Sequence, residues 1–344
     1  MKGEGTFKNR FFVAVYAIIF ILTVLVAFRF ITIYFFGNPK AANPVIYDKY
    51  YVMISDNHQS GYWKSVYEGA CEYGMEKNVF VEDLASSFSS ELSKEELMRI
   101  AIASRVDGII VSADDSEELT ELINEANMQG IPVVTMYNDA PNSNRISYVG
   151  VDNYNIGKEY GRQAVNVARG IYAETQEEDI NVVVLVDQIP SSDQMMIYSS
   201  VQETFEADGL SSKLRLSMVK IDSTNAFSVE ETIRDLFISD DIPAIIICLS
   251  ELDTTCVYQA VIDYNKVGLI SILGYYDSDS ILQGISRNII NSTIKIDAIQ
   301  MGQYCVDSLV EYDNAGFTSQ YFSVDFEVIN SYNVASYMEG TNEN

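Results

Sequence analysis

Histidine occurs once in this chain, at His58, and tryptophan once, at Trp63. A single histidine excludes the imidazole clusters that hold zinc or copper, and it ties any Ser–His chemistry to one loop residue. Cysteine is nearly as sparse: Cys71, Cys248, Cys256 and Cys305, with no CxxC pair. That spacing excludes zinc ribbons and dithiol redox motifs. Each cysteine falls in an apolar strand or on a helix face, where a small buried hydrophobe is expected, so a Cys71–Cys305 disulfide is not favoured. The sequence also lacks a phosphate-binding glycine loop, a GxSxG elbow and a His/Cys/Glu metal cluster. No enzyme, no metal and no cofactor is therefore expected.

Positive charge is the other shortage. The 344 residues hold 22 Lys and Arg against 49 Asp and Glu, a formal net charge of −27. Beyond residue 40 the balance is 17 basic to 48 acidic, or −31. Phosphate backbones and anionic lipid would repel such a surface, which excludes nucleic acid as a partner. Acidity of this kind keeps an exported domain soluble. Hydrophobic residues make up 48%, enough for the cores of two ordinary domains after the first forty residues.

The long apolar run lies at the start. Phe11 to Phe28 is unbroken, then Arg29 interrupts before a second aromatic patch, Phe30 to Phe36. About 18 such residues span a bilayer. Lys2, Lys8 and Arg10 precede the run, which assigns residues 1–10 to the cytoplasm and the rest to the outside. An uncleaved anchor over 11–36 is expected, with a cleaved signal peptide as the rival reading. Residues 37–48, with Pro39 and Pro44, read as a stalk.

From Tyr50 onward strands and helices alternate. Tyr50 to Ser55 reads as a buried strand, followed by a polar loop and a helix opening near Trp63 with Val66, Ala70 and Gly74 inward. Val79 to Leu84 is a strand, and Ser93-Lys94-Glu95-Glu96 is a capping box. Val106 to Ser112 is apolar on both faces, the mark of a covered parallel sheet. Further strands are expected at 131–136, 146–149, 182–186, 217–221, 244–249, 270–273, 292–296 and near 321–328. Such alternation gives two doubly wound α/β halves. In open α/β sheets ligands sit outside the carboxyl ends of the strands, so the first loop, carrying His58, Tyr62 and Trp63, is a candidate binding element. Asp114-Asp115 read as a strand end and helix cap rather than a catalytic pair.

These pieces together resemble type I periplasmic binding proteins, the ribose- and galactose-binding group related to lac-type repressor effector domains. The resemblance rests on Trp63-x5-Gly69-Ala70, Val106-Asp-Gly-Ile-Ile-Val, Gly130-Ile-Pro-Val-Val-Thr135, Tyr148-Val-Gly-Val-Asp152-Asn153, the Ile-Leu-Gly-Tyr-Tyr-Asp run ending at Asp277, and Thr293-Ile294. It covers nearly all of residues 50–330. It implies two Rossmann-like parallel-sheet lobes joined by a three-strand hinge and closing on a small ligand. The crossovers would fall near Val151 and Asp152, near Ile296 and Asp297, and near Asp325. Lobe 1 would then be 45–151 plus 297–325, and lobe 2 152–296 plus 326–344.

Carried over position by position, the resemblance implies a ligand site of His58, Tyr62, Trp63, Tyr137, Asn138, Asp139, Asp193, Ser250, Glu251, Tyr276 and Asp277. Three positions depart from the family pattern. Tyr137 stands where an acid or amide is common, Gln194-Met-Met-Ile-Tyr198 lacks the usual Arg, and Ile296 replaces an amide. The function implied is capture of a small polar ligand, a carbohydrate before others, by a membrane-anchored, extracytoplasmic and monomeric ectodomain. Delivery to an ABC permease is the first reading, signalling to a membrane receptor or sensor kinase the second, and a hydrolase on a similar scaffold a distant third.

Overall fold

A computed structural model describes residues 16, 20–29, 46–88, 92–114, 116–175, 179–209, 213–222, 226–239 and 241–339. It divides into two units, Met1–Tyr47 and Asp48–Asn344. Of the expected anchor only Tyr16 and residues 20–29 are described. They are helical, and Phe20, Ile21, Leu22, Leu25, Val26 and Phe28 are each more than half exposed. Among the described residues no helix is long and apolar enough to cross a membrane. The remainder of 1–36, and most of the 37–48 stalk, lies outside the described residues.

The second unit is a pair of α/β lobes. The chain first lays down β1 (Lys49–Ile54), α1 (Gly61–Glu76), β2 (Val79–Asp83), α2 (Lys94–Ser104), β3 (Gly108–Ser112), α3 (Glu117–Met128), β4 (Val133–Met136) and β5 (Ser147–Val151). It then crosses to α4 (Asn153–Thr175), β6 (Ile180–Asp187), α5 (Ser192–Ala207), β7 (Leu214–Ile221), α6 (Ala226–Ile238), β8 (Ile245–Ile247), α7 (Glu251–Asp263), β9 (Ser271–Tyr275), α8 (Asp279–Ser286) and β10 (Ile290–Ile296). Last come α9 (Ala298–Ala315), β11 (Tyr321–Val324), β12 (Phe326–Asn330) and α10 (Val334–Glu339). The sheets have strand orders β2-β1-β3-β4-β5-β11 and β7-β6-β8-β9-β10-β12, so the first five strands of each follow the same doubly wound path.

Local chemistry explains the element starts. Every residue of β3, β4, β5 and β8 is buried, as strands covered by helices on both faces require. Serines at the loop ends begin the helices. Ser60, Ser93, Ser116, Ser191 and Ser250 each accept a backbone N–H of the first turn, and Ser93–Glu96 and Ser191–Gln194 complete capping boxes. The amino ends of α1, α5 and α7 therefore open just beyond the carboxyl ends of β1, β6 and β8.

Two of the three crossovers between lobes share a local design. Asp152 Oδ1 accepts the Asn155 N–H at 3.0 Å, and Asp297 Oδ1 accepts the Gln300 N–H at 2.9 Å. Five residues after each aspartate comes a glycine at a helix crossing. A Cβ on Gly302 would stand 1.9 Å from the Val66 carbonyl of α1, and one on Gly157 2.5 Å from the Ile197 carbonyl of α5.

The last expected strand, near 321–328, is corrected by the structure. It is two strands in different sheets, separated by Asp325. The chain runs straight from one lobe to the other. β11 thus lies parallel to β5, while β12 enters lobe 2 at the end where β10 leaves and lies antiparallel to it. The Gln300 side chain ties this crossover to the second one, donating to Asp325 Oδ2 at 3.1 Å and accepting the Asp325 N–H at 2.7 Å. Helix α10 and a 3-10 turn at Leu84–Ser87 are further elements beyond those expected from the sequence.

Candidate functional site

The carboxyl strand ends of the two sheets face each other across a cleft. On the lobe 1 wall the acids are held by cations. Asp56 pairs with Lys94 at 2.6 Å and accepts the Ser112 hydroxyl at 2.5 Å, and Lys94 also reaches Asp114 at 3.3 Å. Asp139 is gripped by Arg145 through Nε and Nη2, by the Thr135 hydroxyl at 3.0 Å, and by the Ala140 N–H at 2.8 Å. That carboxylate fixes the loop after β4. Asn138 donates its N–H to the Met136 carbonyl at 2.8 Å. His58 stands at the far side, near the buried Asp83, whose carboxyl is pushed up by burial and drawn back by the imidazole.

The centre of the cleft is aromatic. Tyr62 and Trp63, at the start of α1, are only 7% and 6% exposed. Their ring centroids lie 5.2 Å apart, and those of Tyr62–Tyr137 and Trp63–Tyr137 are 5.6 and 5.5 Å apart, all edge-to-face. Tyr276, from the loop after β9 in lobe 2, meets Tyr62 at 5.6 Å. Tyr137 lies near Tyr275 of the other lobe, and Tyr160 of α4 donates to the Gly274 carbonyl at 2.8 Å. Burial pushes the Tyr137 phenol up to about 12. One continuous buried apolar cluster consequently runs from lobe 1 into lobe 2.

The lobe 2 wall is acidic. Asp187, at the end of β6, accepts the Gln194 amide at 3.0 Å. Asp193 faces Tyr137 and Tyr148 of the other lobe. Ser250 caps α7, and Glu251 beside it is raised by burial, against a hydrogen bond from Ser278, and further by nearby Asp277. Asp277 pairs with Lys295 at 3.2 Å. Asp253, 5% exposed, keeps Oδ1 without a hydrogen-bond partner among the described residues. Burial raises it to about 6, with Asp187 adding to the rise. Beside the second and third crossovers a cavity of about 310 Å³ is lined by Ser65, Tyr276, Asp277, Lys295, Asp297 and Asp325.

The structure thus gathers Tyr62, Trp63, Tyr137 and Tyr276 at one point, with Glu251 and Asp277 close to Tyr276. His58 lies near Asp83. Sequence reasoning did not single out Asp187, Asp253, Tyr160 or Tyr275. Asp187 could have been found as an acid at a strand's carboxyl end; Asp253 sits three residues after a capping serine and reads as part of the cap. Among the described residues no group of three or more His, Cys, Asp or Glu could hold a metal.

This architecture recurs in solved structures. GanP, a glucose–galactose binding protein from Geobacillus stearothermophilus, superposes with a TM-score of 0.71 at 21% identity, over 83% of this chain and 98% of that one. A carbohydrate transporter solute binding protein from Agrobacterium radiobacter, in complex with D-arabinose, gives 0.72 at 16% identity, over 86% and 99%. The XylFII–LytSN complex gives 0.66 at 23% identity, over 83% and 98%. No curated protein matches. The model of the periplasmic binding protein domain matches residues 50–315, most of the two-lobed unit. With two doubly wound sheets facing each other across a cleft and this match over most of the chain, the chain belongs to the periplasmic binding protein family.

Proposed function

We propose that this chain is a membrane-anchored, extracytoplasmic solute-binding protein that captures a small polar ligand, a carbohydrate, between its lobes for uptake by an ABC-type permease. The observation that carries this reading is the convergence of two sets of strand ends, with their rings and carboxylates, on one cleft spanned by three crossovers. Aromatic rings offer apolar faces to sugar C–H groups, and carboxylates accept hydroxyls that would otherwise be buried unpaired. The sugars named for similar structures support the same ligand class. Tyr62, Trp63, Tyr137, Asp193, Ser250, Glu251, Tyr276 and Asp277 would form the site, with Val151–Asp152, Ile296–Asp297 and Asp325 as the hinge. The apolar run over 11–36, with its exposed side chains at 20–29, supports the anchor.

All three buried cores are built from residues at or beyond Tyr51, so residues 46–344 can be tested alone. A thermal-shift screen of that body should respond to a pentose or hexose. Ligand at 100 times its dissociation constant adds about 2.7 kcal/mol. A response confined to nucleosides or amino acids would replace the carbohydrate class, and no response to any of them would remove the reading.

A second reading, ligand sensing for a membrane receptor or histidine kinase, is favoured by the contact already made between the lobes at Tyr62 and Tyr276. Copurification of the full chain from membranes with a permease or with a kinase separates the two.

A further inference from the structure

We infer that the ligand is an amino sugar, and that its ammonium group is received by the lobe 2 wall at Glu251 and Asp253. This rests on the cleft proposed above as the carbohydrate site, and it names the ligand class that the charge of that cleft selects. Lobe 1 brings its own cations to the cleft: Lys94 pairs with Asp56 and Asp114, and Arg145 with Asp139. Lobe 2 opens three helices there, α5, α7 and α8, and none of them contains a lysine or an arginine. Asp277 has Lys295 of β10 at 3.2 Å. Glu251 and Asp253 pair with no cation among the described residues.

Both acids lie in the first turn of α7. An acid or amide at the third helical position ordinarily turns back to close a capping box. Glu96 and Gln194 do so on Ser93 and Ser191, whereas Asp253 leaves Oδ1 without a hydrogen-bond partner among the described residues. Asp253 is 5% exposed. Asp187, at the end of β6, is close enough to raise both Asp253 and, across the cleft, Tyr137. That shared neighbour sets Asp253 at the cleft. Tyr276 is raised by burial, and the charges that raise it further are Asp277 and Glu251.

An acid titrating at about 6 stays mostly ionised at neutral pH, so Asp253 holds a negative charge where water is scarce. A neutral sugar closing over this wall would take more water from the two carboxylates and return no opposite charge. An ammonium group returns that charge and brings three donors to acceptors that need them. The wall therefore selects a sugar in which an amine replaces one hydroxyl.

The test is calorimetric titration of the 46–344 body with glucosamine and galactosamine, against glucose, galactose and N-acetylglucosamine as uncharged counterparts. Spermidine and lysine supply the ammonium group without the sugar. An amino hexose should bind about tenfold or more tightly than its neutral parent, the margin that a hydrogen bond to a charged group gives. Salt should shrink that margin by screening the charges. Glu251→Gln/Asp253→Asn keeps the side-chain shapes and removes both charges, and in it the margin should vanish. Melting curves establish that the variant is folded. Asp253→Asn alone, which removes a buried charge, is the second variant and should narrow the margin. Equal affinity for an amino hexose and its parent, or a margin that survives in the double variant, overturns the ammonium site and leaves the carbohydrate reading standing. If spermidine or lysine binds and no sugar does, the amino sugar falls together with the carbohydrate reading.

Discussion

The two lobes are one folding plan used twice with different chemistry. Five strands follow the same order in each, and each interlobe helix begins with a capping aspartate and carries a glycine five residues on. The walls they present differ. Lobe 1 pairs two cleft acids, Asp56 and Asp139, with Lys94 and Arg145, and lobe 2 pairs one, Asp277, with Lys295; each lobe also buries an aspartate, Asp83 and Asp253, with one oxygen lacking a hydrogen-bond partner among the described residues. Topology is set by the buried apolar strands and the helix crossings, so it survives duplication. Charge pairing depends on loops, which are free to diverge.

The comparison breaks most severely at the crossings. Gly302→Ala would drive a methyl into the Val66 carbonyl, where backbone faces backbone and neither can yield. It should cost about 3 kcal/mol or more, as overpacking at a rigid contact does, and Gly157→Ala in lobe 2 should cost less because its clash is milder. Urea midpoints of the two variants give the ranking; equal midpoints would deny the difference between the crossings.

Arg145→Met probes the lobe 1 wall. It leaves the Asp139 carboxylate, 20% exposed, without its counter-charge and should destabilise by about 2–3 kcal/mol. The double change Arg145→Met/Asp139→Asn should recover part of that loss. No recovery would mean that Arg145 acts through packing alone.

Asp253→Asn probes lobe 2 and should have the opposite sign. The folded value of about 6 lies above the ordinary 3.8, so folding favours the protonated acid. Stability from this group is complete below the ordinary value and is lost as pH rises through about 6. The asparagine should therefore raise stability by about 2 kcal/mol at pH 8 and by little near pH 4, following the linkage between proton affinity and folding. Melting curves at the two pH values check this, and a gain independent of pH would assign the effect to something other than ionisation.

The smallest effect is expected at Gly170, exposed on α4 with open space where a Cβ would go. Gly170→Ala should stabilise by about 0.5–1 kcal/mol through helix propensity alone. Set beside Gly302→Ala, it separates glycines needed for contact from those that are not.

Much of this fold is legible in the chain. Val106 to Ser112, apolar on both faces, announces a covered parallel strand, and Ser93 with Glu96 forms the box that their spacing implies. What was not legible depends on the third dimension. Residues 321–328 look like one strand because a straight chain gives no local sign that Asp325 lies between two sheets. The left-handed backbones of Tyr137 and Tyr276 are equally silent, since tyrosine does not advertise positive φ as glycine does. Asp139 reads as an available acid until the loop returns and brings Arg145 onto it.

The late position of β11 and β12 has a consequence for synthesis. A ribosome must deliver residue 324 before the first sheet has its sixth strand, and residue 330 before the second does. Helix α9, which closes over α1, is also made after the whole of the second sheet's parallel set. Neither lobe is a contiguous stretch of chain, so neither can finish folding while the nascent polypeptide is still short, and long-range pairings of this kind form slowly. A chain with this order leaves both sheets incomplete until residue 330 has emerged.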